Sequence, residues 1–282
     1  MPDRLTDWIG RTETATDVIA PAPCAALAAT LDHDNALPAP GAVLPPLWHW
    51  LYFLPRPRAS AIGPDGHERR GGFLPPVPLP RRMWAGSRLA FRAPLHIGDR
   101  VVRTSTIADV TEKTGRSGAL VFVAVRHDIA RAGEAAPALS EWHDIVYREP
   151  GAPGAPPSEG PAPPAAAAWR RVWVPDPVLL FRYSALTFNG HRIHYDRGYA
   201  TGTEAYPGLV VHGPLLATLL LELLREARPE ARIAGYRFRA VRPVFDVAAF
   251  AVCGRPEPDG RVRLWAEDAR GALAMDATAE LA

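Results

Sequence analysis

One leucine-rich segment, Gly213–Ala227, constrains the fold more than any other part of the chain. It follows a histidine and begins with Gly-Pro, and proline is common in the first turn of a helix. Drawn as a helix it has a polar edge only at Glu222, Arg225 and Glu226. Leucines cover the rest of its surface: Leu215, Leu216, Leu219, Leu220, Leu221, Leu223 and Leu224. A helix that is apolar on nearly every side must be enclosed. A curved antiparallel sheet around this helix would enclose it.

Segments that could form such a sheet occur on both sides of a stretch rich in proline and alanine. They are β-branched or alternate between apolar and polar residues, and turn residues separate them. Their positions are 87–92, 101–110, 119–129 and 138–148 before that stretch, and 234–241, 248–254, 262–266 and 272–281 after it. Helical patterns followed by antiparallel strands are typical of the α+β class.

The proline- and alanine-rich stretch, residues 151–166, predicts a semi-rigid linker between two units, 1–150 and 167–282. The two units share a short sequence. Phe91-Arg92-Ala93-Pro94 resembles the segment that begins at Phe238-Arg239-Ala240, and both enter predicted strands. This similarity indicates a duplicated helix-plus-sheet unit.

Composition excludes several classes of protein. A hydrophobic fraction of 48% and a charged fraction of 22% are typical of a soluble globular chain, and a net charge of +2 argues against a nucleic-acid partner. Cys24 and Cys253 are too few for a disulfide framework or a zinc cage. The longest apolar run, around residues 215–224, is shorter than the ~20 residues of a membrane span. We therefore expect a cytoplasmic protein with no membrane partner.

Polar residues that could take part in a reaction are concentrated between an apolar run and the long helix. They are Asn189, His191, His194, Tyr195, Asp196 and His212. His194 is the natural acid or base, because imidazole titrates near neutral pH. Asn189 can hold a water molecule through its amide but cannot take a proton. Gly213, at the start of the helix, can direct its N–H at a carbonyl oxygen. The pattern predicts a reaction at a carbonyl compound.

Structural roles compete for some of these residues. His191 and His194 are three residues apart and could ligate a metal, but no third His or Cys is near in sequence, so we predict no metal. Asp196 is expected to cap a short helix that runs through Tyr199. His212 could simply pack beneath the long helix.

The chain resembles the MaoC-like, hotdog-fold enoyl-thioester hydratases and dehydratases. It is most similar to the type 2 hydroxyacyl-thioester dehydratase branch, which includes mesaconyl-C4-CoA and itaconyl-CoA hydratases. Residues 183–196, 211–213, 79–86 and 94–99 carry the resemblance. It implies a double hotdog fold, with two antiparallel sheets that each wrap a helix. It also implies a hydro-lyase that acts on an enoyl-CoA, with no cofactor beyond the CoA of the substrate. A homodimer or a higher homo-oligomer is left open.

The family pattern Gly-Asp-x-Asn-Pro-apolar-His matches this chain only in part. Ile193 and His194 fit its end, whereas Asn189 stands where the family has Asp. The resemblance implies catalytic roles for His194, Asn189 and Gly213. It implies substrate contacts for His191, Arg192, Tyr195, His212, Trp84, Arg81 and Arg82. The first unit would supply only the wall of the acyl pocket, through Trp84 and the aromatics at 48–53.

A branched C5 dicarboxylic substrate would need a cation for its free carboxylate, because an isolated buried carboxylate is costly. Arg81, Arg82 and Arg192 are the candidates, and contact with CoA phosphate is their alternative role. Three other functions remain open for the chain: a 3-hydroxyacyl-ACP dehydratase, a hotdog thioesterase and a non-catalytic acyl-thioester binder.

Overall fold

Ten antiparallel strands pair into one continuous sheet in the computed structural model, which describes residues 4–33, 38–115, 118–149, 160–164 and 166–282. The strands are β1 (Thr12–Val18), β2 (Arg81–Phe91), β3 (Arg100–Gly115), β4 (Gly118–Arg131), β5 (Leu139–Arg148), β6 (Trp169–Trp173), β7 (Ile233–Ala240), β8 (Phe250–Pro256), β9 (Arg261–Glu267) and β10 (Leu273–Leu281). The helices are α1 (Pro21–Thr30), α2 (Pro177–Leu186) and α3 (Gly213–Ala227). The α+β class is confirmed.

The two halves of the sheet have the same strand order. From its outer edge inward the first half runs β1-β3-β4-β5-β2, and the second runs β6-β8-β9-β10-β7. Each strand therefore has a counterpart five strands later, and the counterparts β2 and β7 pair at the centre. This topology agrees with the predicted duplication. Strands β1–β5 lie within 1–150 and β6–β10 within 167–282, while most of the linker predicted at 151–166 lies outside the described residues.

A glycine is required where the two halves join. A Cβ atom on Gly86 of β2 would lie 2.2 Å from the backbone oxygen of Phe238 on β7. The register of β2 against β5 also shifts between Trp84 and Gly86, as at a β-bulge. Glycine in a strand interior commonly marks such a close backbone approach. The strand pairing that unites the halves thus depends on a residue without a side chain.

The helix predicted at Gly213–Ala227 is confirmed as α3, and it packs against β6, β8, β9 and β10. Its leucines are all buried, and burying each stabilises the fold by roughly 1.5–3 kcal/mol relative to exposure. Glu222, however, is buried instead of forming part of a polar edge. It accepts hydrogen bonds from Trp48 Nε1 at 3.0 Å and from Arg225 at 2.7 Å. These partners offset the cost of its buried charge.

Two elements were not predicted from the sequence pattern. Strand β1 is short, mostly exposed and at the edge of the sheet, so it has no apolar alternation. Helix α2 begins at Pro177 after Asp176, whose carboxylate accepts from the Leu179 N–H at 2.7 Å. It packs against α1 and leads directly into the polar cluster. Within the described ranges, no helix is long and apolar enough to cross a membrane.

Candidate active site

Two of the three predicted catalytic residues, Asn189 and His194, lie in a tight turn that follows α2, and residues 189–196 are called the catalytic turn below. Phe188 has a φ of 49°, and this left-handed residue ends the path of the helix. The Asn189 N–H then donates to the Ser184 carbonyl oxygen at 2.8 Å. Asn189 Oδ1 accepts from the His191 N–H at 3.0 Å, which closes the turn. The side-chain oxygen of Asn189 is therefore committed to the backbone, and its NH₂ group is the part that can hold a ligand.

A short helical turn at Arg192–His194 comes next. Asp196 then caps the helical turn that follows it, because its Oδ1 accepts from the Tyr199 N–H at 2.9 Å, which confirms the expected capping role. Tyr195 is 44% exposed at the rim of the turn, and its hydroxyl donates to the Gly190 carbonyl oxygen at 2.9 Å. The exposed ring of Tyr195 is accessible from outside, and its predicted substrate contact stays a prediction.

His194 has a single defined tautomer. Its Nδ1 lies 2.7 Å from the Val210 carbonyl oxygen, and a carbonyl only accepts, so Nδ1 carries the hydrogen and Nε2 the lone pair. Burial lowers the pKa of His194 to about 4, although the bond to Val210 opposes this shift and the charge of His67 adds to it. The imidazole is therefore neutral at pH 7, with Nε2 ready to accept a hydrogen bond or a proton.

His212 supports His194 from behind. The two rings stack with centroids 3.8 Å apart, and His212 Nε2 is 2.8 Å from the Ser184 hydroxyl. His212 has no exposed surface. This corrects the substrate contact expected for His212, because the rings of Tyr183 and His194 lie against it. Its position instead fixes the plane of the His194 ring.

Gly213 begins α3 directly after His212, and Pro214 follows it. The first N–H groups of a helix have no partner within the helix. In the part of the chain that the structure describes, no carbonyl or side chain accepts from the Gly213 N–H. A Cβ atom at this position would meet nothing within 4 Å outside the helix's own backbone, so the start of the helix is uncrowded on that side. The arrangement suits a carbonyl oxygen that develops negative charge.

A loop from the first half of the chain lies against this turn. It belongs to residues 63–80, a stretch rich in glycine and proline. The Arg192 N–H donates to the Asp65 carbonyl oxygen at 2.9 Å, and Arg192 Nη1 donates to the Pro64 carbonyl oxygen at 3.0 Å. A Cβ atom on Gly66 would lie 1.8 Å from the Gly190 oxygen. The two halves thus meet backbone to backbone at the site.

This loop brings a histidine and a carboxylate to the predicted catalytic cluster. His67 Nδ1 lies 2.9 Å from Asp65 Oδ2. The His67 ring packs on His191 with centroids 4.0 Å apart, and His191 meets His194 edge to face at 5.5 Å. Sequence reasoning missed both loop residues. The only local signal was an Asp-Gly-His triplet within a loop rich in glycine and proline.

The loop pair has a defined charge state at neutral pH. Burial lowers the pKa of His67, and the hydrogen bond and charge of Asp65 oppose this only in part. Burial raises the pKa of Asp65, but the bonds and charge of His67 outweigh it and hold that pKa below its usual range. Burial also lowers the pKa of His191 to about 2. Asp65 is therefore ionised, and both imidazoles are neutral.

Asp65, His67 and His191 each place one potential ligand atom within 4.8 Å of the other two. Two imidazoles and a carboxylate at that spacing are compatible with a divalent transition metal. The same spacing suits a group of side chains that shares a water molecule. The prediction of no metal stays a prediction.

The three candidate arginines have different surroundings. Arg81 forms an ion pair with Glu204 at 3.2 Å, and Arg192 donates twice to Asp196 Oδ2, at 3.0 and 2.7 Å. Within the described residues, Arg82 has no carboxylate partner within 4.0 Å. Burial is the largest cause that lowers the pKa of His67 and of His191, and the positive charge of Arg82 lowers both pKa values further. Arg82 is thus the candidate whose guanidinium has no carboxylate partner among the described residues, although it contacts the Tyr147 hydroxyl.

The aromatic residues of the first half contact the second half. The rings of Trp84 and Trp50 meet at 5.1 Å, and each lies 6.1 Å from Phe238 on β7. Trp84 Nε1 donates to Ser87 Oγ at 3.0 Å, so its apolar face is what remains for a substrate. The structure places Trp84 and the 48–53 segment at the junction of the halves. Their role as a pocket wall stays a prediction.

A buried polar cluster lies behind Trp84 and was not predicted. Glu141 on β5 accepts from Trp50 Nε1 at 3.0 Å and from Ser87 Oγ at 2.8 Å, and it lies 3.1 Å from His49 Nε2. Burial raises the pKa of Glu141, but the hydrogen bond and charge of His49 outweigh it and bring that pKa to about 2. Every oxygen of this carboxylate has a partner, so the cluster is a satisfied part of the core.

Comparison with known proteins identifies the family. A sequence model described as hydroxyacyl-thioester dehydratase type 2 matches residues 47–246, well over half of the chain. The chain is also 52% identical to mesaconyl-C(4)-CoA hydratase of Chloroflexus aurantiacus, over 97% of this chain and 96% of that protein. Both matches include the 63–80 loop and the catalytic turn.

Solved structures show the fold. HtdX of Mycobacterium tuberculosis is 19% identical with a TM-score of 0.65, and the match covers 96% of this chain and 100% of that one. A second Mycobacterium tuberculosis protein, described as having a double hotdog fold, is 13% identical with a TM-score of 0.59, covering 97% of this chain and 96% of that one. The chain therefore belongs to the hydroxyacyl-thioester dehydratase type 2 family, with a double hotdog fold and the hydro-lyase class that its motif predicted.

Proposed function

We propose that the chain hydrates mesaconyl-C4-CoA, a branched C5 dicarboxylic enoyl-CoA, by adding water across its 2,3 double bond. The observation that carries this proposal is the 52% identity, over nearly the whole of both chains, to a protein named for that reaction. The cytoplasmic location and a homo-oligomeric state remain predictions from the sequence.

The surroundings of Arg82 support a dicarboxylic substrate. In a C4 thioester of methylfumaric acid, the free carboxylate is attached to the β-carbon, the atom that water attacks. The cation that pairs with it must therefore lie beside the groups that handle water. Arg82 is within electrostatic range of His67 and His191 and has no carboxylate partner among the described residues. A guanidinium can bind a carboxylate through two parallel hydrogen bonds.

The segment from the end of α2 to the start of α3 supplies the groups that hydration requires. The Gly213 N–H would bind the thioester oxygen and stabilise the enolate that forms when water attacks the β-carbon. The NH₂ group of Asn189 would hold the water oxygen. His194 would act as acid or base through Nε2, which its bond to Val210 leaves unprotonated. All three groups lie on the segment that runs from the end of α2 to the start of α3.

A substrate panel tests the proposal. The purified chain would be incubated with mesaconyl-C4-CoA, itaconyl-CoA, crotonyl-CoA and a long linear enoyl-CoA, while enone absorbance and free thiol are followed. We expect enone loss without thiol release, fastest with mesaconyl-C4-CoA. Thiol release would show a thioesterase, and binding without turnover would show an acyl-thioester binder. A preference for itaconyl-CoA or for long linear chains would contradict the substrate, and the same panel on acyl carrier protein tests the carrier.

A further inference from the structure

Hydration requires two proton transfers, and of the three groups assigned to the reaction, Asn189, His194 and Gly213, only His194 is suited to either. The water must lose a proton as its oxygen bonds to the β-carbon, and the α-carbon must gain one. His194 can serve one of these steps. Asn189, which occupies the position of the family's carboxylate, cannot take a proton. Gly213 offers only a backbone amide, so none of these three groups is left for the second proton transfer.

The loop from the first half holds a group with the required chemistry. The bond between His67 Nδ1 and Asp65 Oδ2, 2.9 Å long, leaves His67 Nε2 with the lone pair. A carboxylate behind an imidazole fixes its tautomer and stabilises the imidazolium that forms when Nε2 takes a proton. The corresponding partner of His194 Nδ1 is the backbone carbonyl of Val210, which carries no full charge. Of the two histidines, His67 is the better proton acceptor.

The position of the pair is fixed by the backbone. The Asp65 carbonyl oxygen accepts from the Arg192 N–H at 2.9 Å, and Gly66 packs directly on Gly190. The backbone beside His67 is therefore held against the catalytic turn, and the bond to Asp65 and the contact with His191 orient its ring. Its own side chain is 22% exposed, so it is both held and reachable.

We propose that His67 is a further catalytic residue, which accepts the proton of the attacking water, and that Asp65 positions it. The pair, supplied by the first half of the chain, replaces the carboxylate that the motif lacks at Asn189. This inference rests on the proposed hydratase function. It assigns to the first half a chemical role in addition to the predicted pocket wall.

The proton transfers balance within the cluster. The water O–H bond breaks toward His67 Nε2 while the water oxygen bonds to the β-carbon. The π electrons pass into the thioester enolate. His194 is neutral at rest, so the proton that it delivers to the α-carbon is the one that His67 took from water, passed on from His67 to His194. The His191 ring contacts both, with centroids 4.0 Å from His67 and 5.5 Å from His194. After this transfer both imidazoles are neutral again and no proton is left over. The reverse steps serve dehydration.

The experiment separates the two proton transfers. The full chain and its His67→Gln and His194→Gln variants would be assayed for hydration, and for exchange of the α-hydrogens of the hydroxyacyl product in D₂O. We expect hydration to fall about 100-fold or more in both variants, the scale of a lost acid or base. His67→Gln should still exchange the α-hydrogens at least about tenfold faster than His194→Gln, since only the latter has lost the α-carbon group.

A matched control is available in the same half of the chain. His96 lies 3.6 Å from Asp99, with 30% of its side chain exposed, and has no contact with the catalytic turn among the described residues. His96→Gln should hydrate at the wild-type rate. His67→Gln activity within about threefold of wild type would overturn the proposal. Equal loss of exchange in His67→Gln and His194→Gln would also overturn it.

Asp65 variants and a chelator complete the test. Asp65→Asn should lower hydration about tenfold or more and shift the pH profile of kcat/KM, while Asp65→Glu should restore part of the rate. These changes would not follow from a purely structural role if thermal unfolding is unchanged. Activity that is lost on treatment with EDTA and regained with Zn²⁺ would overturn the proton-transfer role in favour of a metal centre. Activity that is unaffected by EDTA supports it.

The test of the role of His67 does not depend on which acyl group the chain accepts. If the wild type hydrates crotonyl-CoA but not mesaconyl-C4-CoA, the proposed substrate fails, and the same variants are compared on crotonyl-CoA. If the wild type hydrates no enoyl-CoA, the proposed function fails, and with it the reaction in which His67 would act.

Discussion

Gly66 and Gly190 touch through their backbones, although 123 residues separate them in the sequence. Gly66 has a φ of +91°, and a Cβ atom there would lie 1.8 Å from the Gly190 oxygen. This contact lets the Asp65–His67 pair reach His191 in the catalytic turn. The candidate site therefore depends on two residues that have no side chain.

Gly66→Ala should disable the enzyme by pushing the loop away. A displacement of about 1 Å in a catalytic group can cost on the order of 100-fold in rate. Gly71→Ala is the matched control, because Gly71 has a φ of +92° but its nearest Cβ contact is 3.8 Å away. Both variants carry the left-handed penalty of roughly 1–2 kcal/mol, and only Gly66→Ala carries the overlap. Hydration rates and thermal unfolding of the two variants measure the difference, and equal rates would contradict the role of the contact.

His194→Ala should lower kcat by about 100-fold or more, since it removes an acid or base. Asn189→Ala should cost less, because Asn189 orients water without exchanging a proton. Asn189→Asp should retain activity, because it restores the family's carboxylate at that position. Steady-state hydration kinetics of the three variants, with circular dichroism to confirm folding, test this order. A folded His194→Ala enzyme with wild-type kcat would remove the central catalytic role.

Arg82→Met should discriminate between substrates. Loss of a charge-assisted hydrogen bond to the substrate carboxylate costs roughly 1.5–3 kcal/mol, or about 10- to 150-fold in kcat/KM for mesaconyl-C4-CoA. Turnover of crotonyl-CoA, which has no free carboxylate, should change little. Arg81→Met is the control, because Arg81 is already paired with Glu204. Equal losses on both substrates in Arg82→Met would indicate a contact with CoA instead.

Buried and half-buried histidines that are neutral in the folded chain should make the fold sensitive to mild acid. Burial is the largest cause that lowers the pKa of four of them: His127 to about 4, His143 to about 3, His191 to about 2 and His194 to about 4. Below the ordinary pKa of about 6.5, the unfolded chain binds protons that the folded chain does not. Their contribution to stability is therefore complete above that pH and is lost as pH falls toward 4.

Urea unfolding at pH 7.5, 6.0 and 5.0 measures this effect, and the midpoint should fall at each step. His143→Gln, which removes one buried histidine outside the catalytic turn, should reduce the dependence on pH. A midpoint that is the same at pH 7.5 and 5.0 would contradict the neutral state of the four imidazoles.

Much of the fold and part of the site could be predicted from local pattern. The bounds of α3 follow from a Gly-Pro start and a leucine-rich sequence without helix breakers after it, and its burial from the absence of a wide polar face. The turn around Asn189 and His194 is local in part: the bonds from Asn189 to His191 and from Asp196 to Tyr199 join residues at most three positions apart, whereas Asp65 and Val210 bind it from distant parts of the chain. Strand β1 escaped prediction because an exposed edge strand has no apolar alternation to detect.

The amino-acid sequence by itself determined the α+β class, the duplication, the enclosed helix and the acid–base character of His194. Each depends on hydrophobic periodicity or on chemistry within one segment. Only the tertiary structure decided that His67 lies against His191, that His212 is covered and that Arg82 has no carboxylate partner among the described residues. The first relation joins residues more than a hundred positions apart, and the close backbone approach of two loops sets it, which no periodicity in either loop encodes. The other two depend on which neighbours fill the surrounding space.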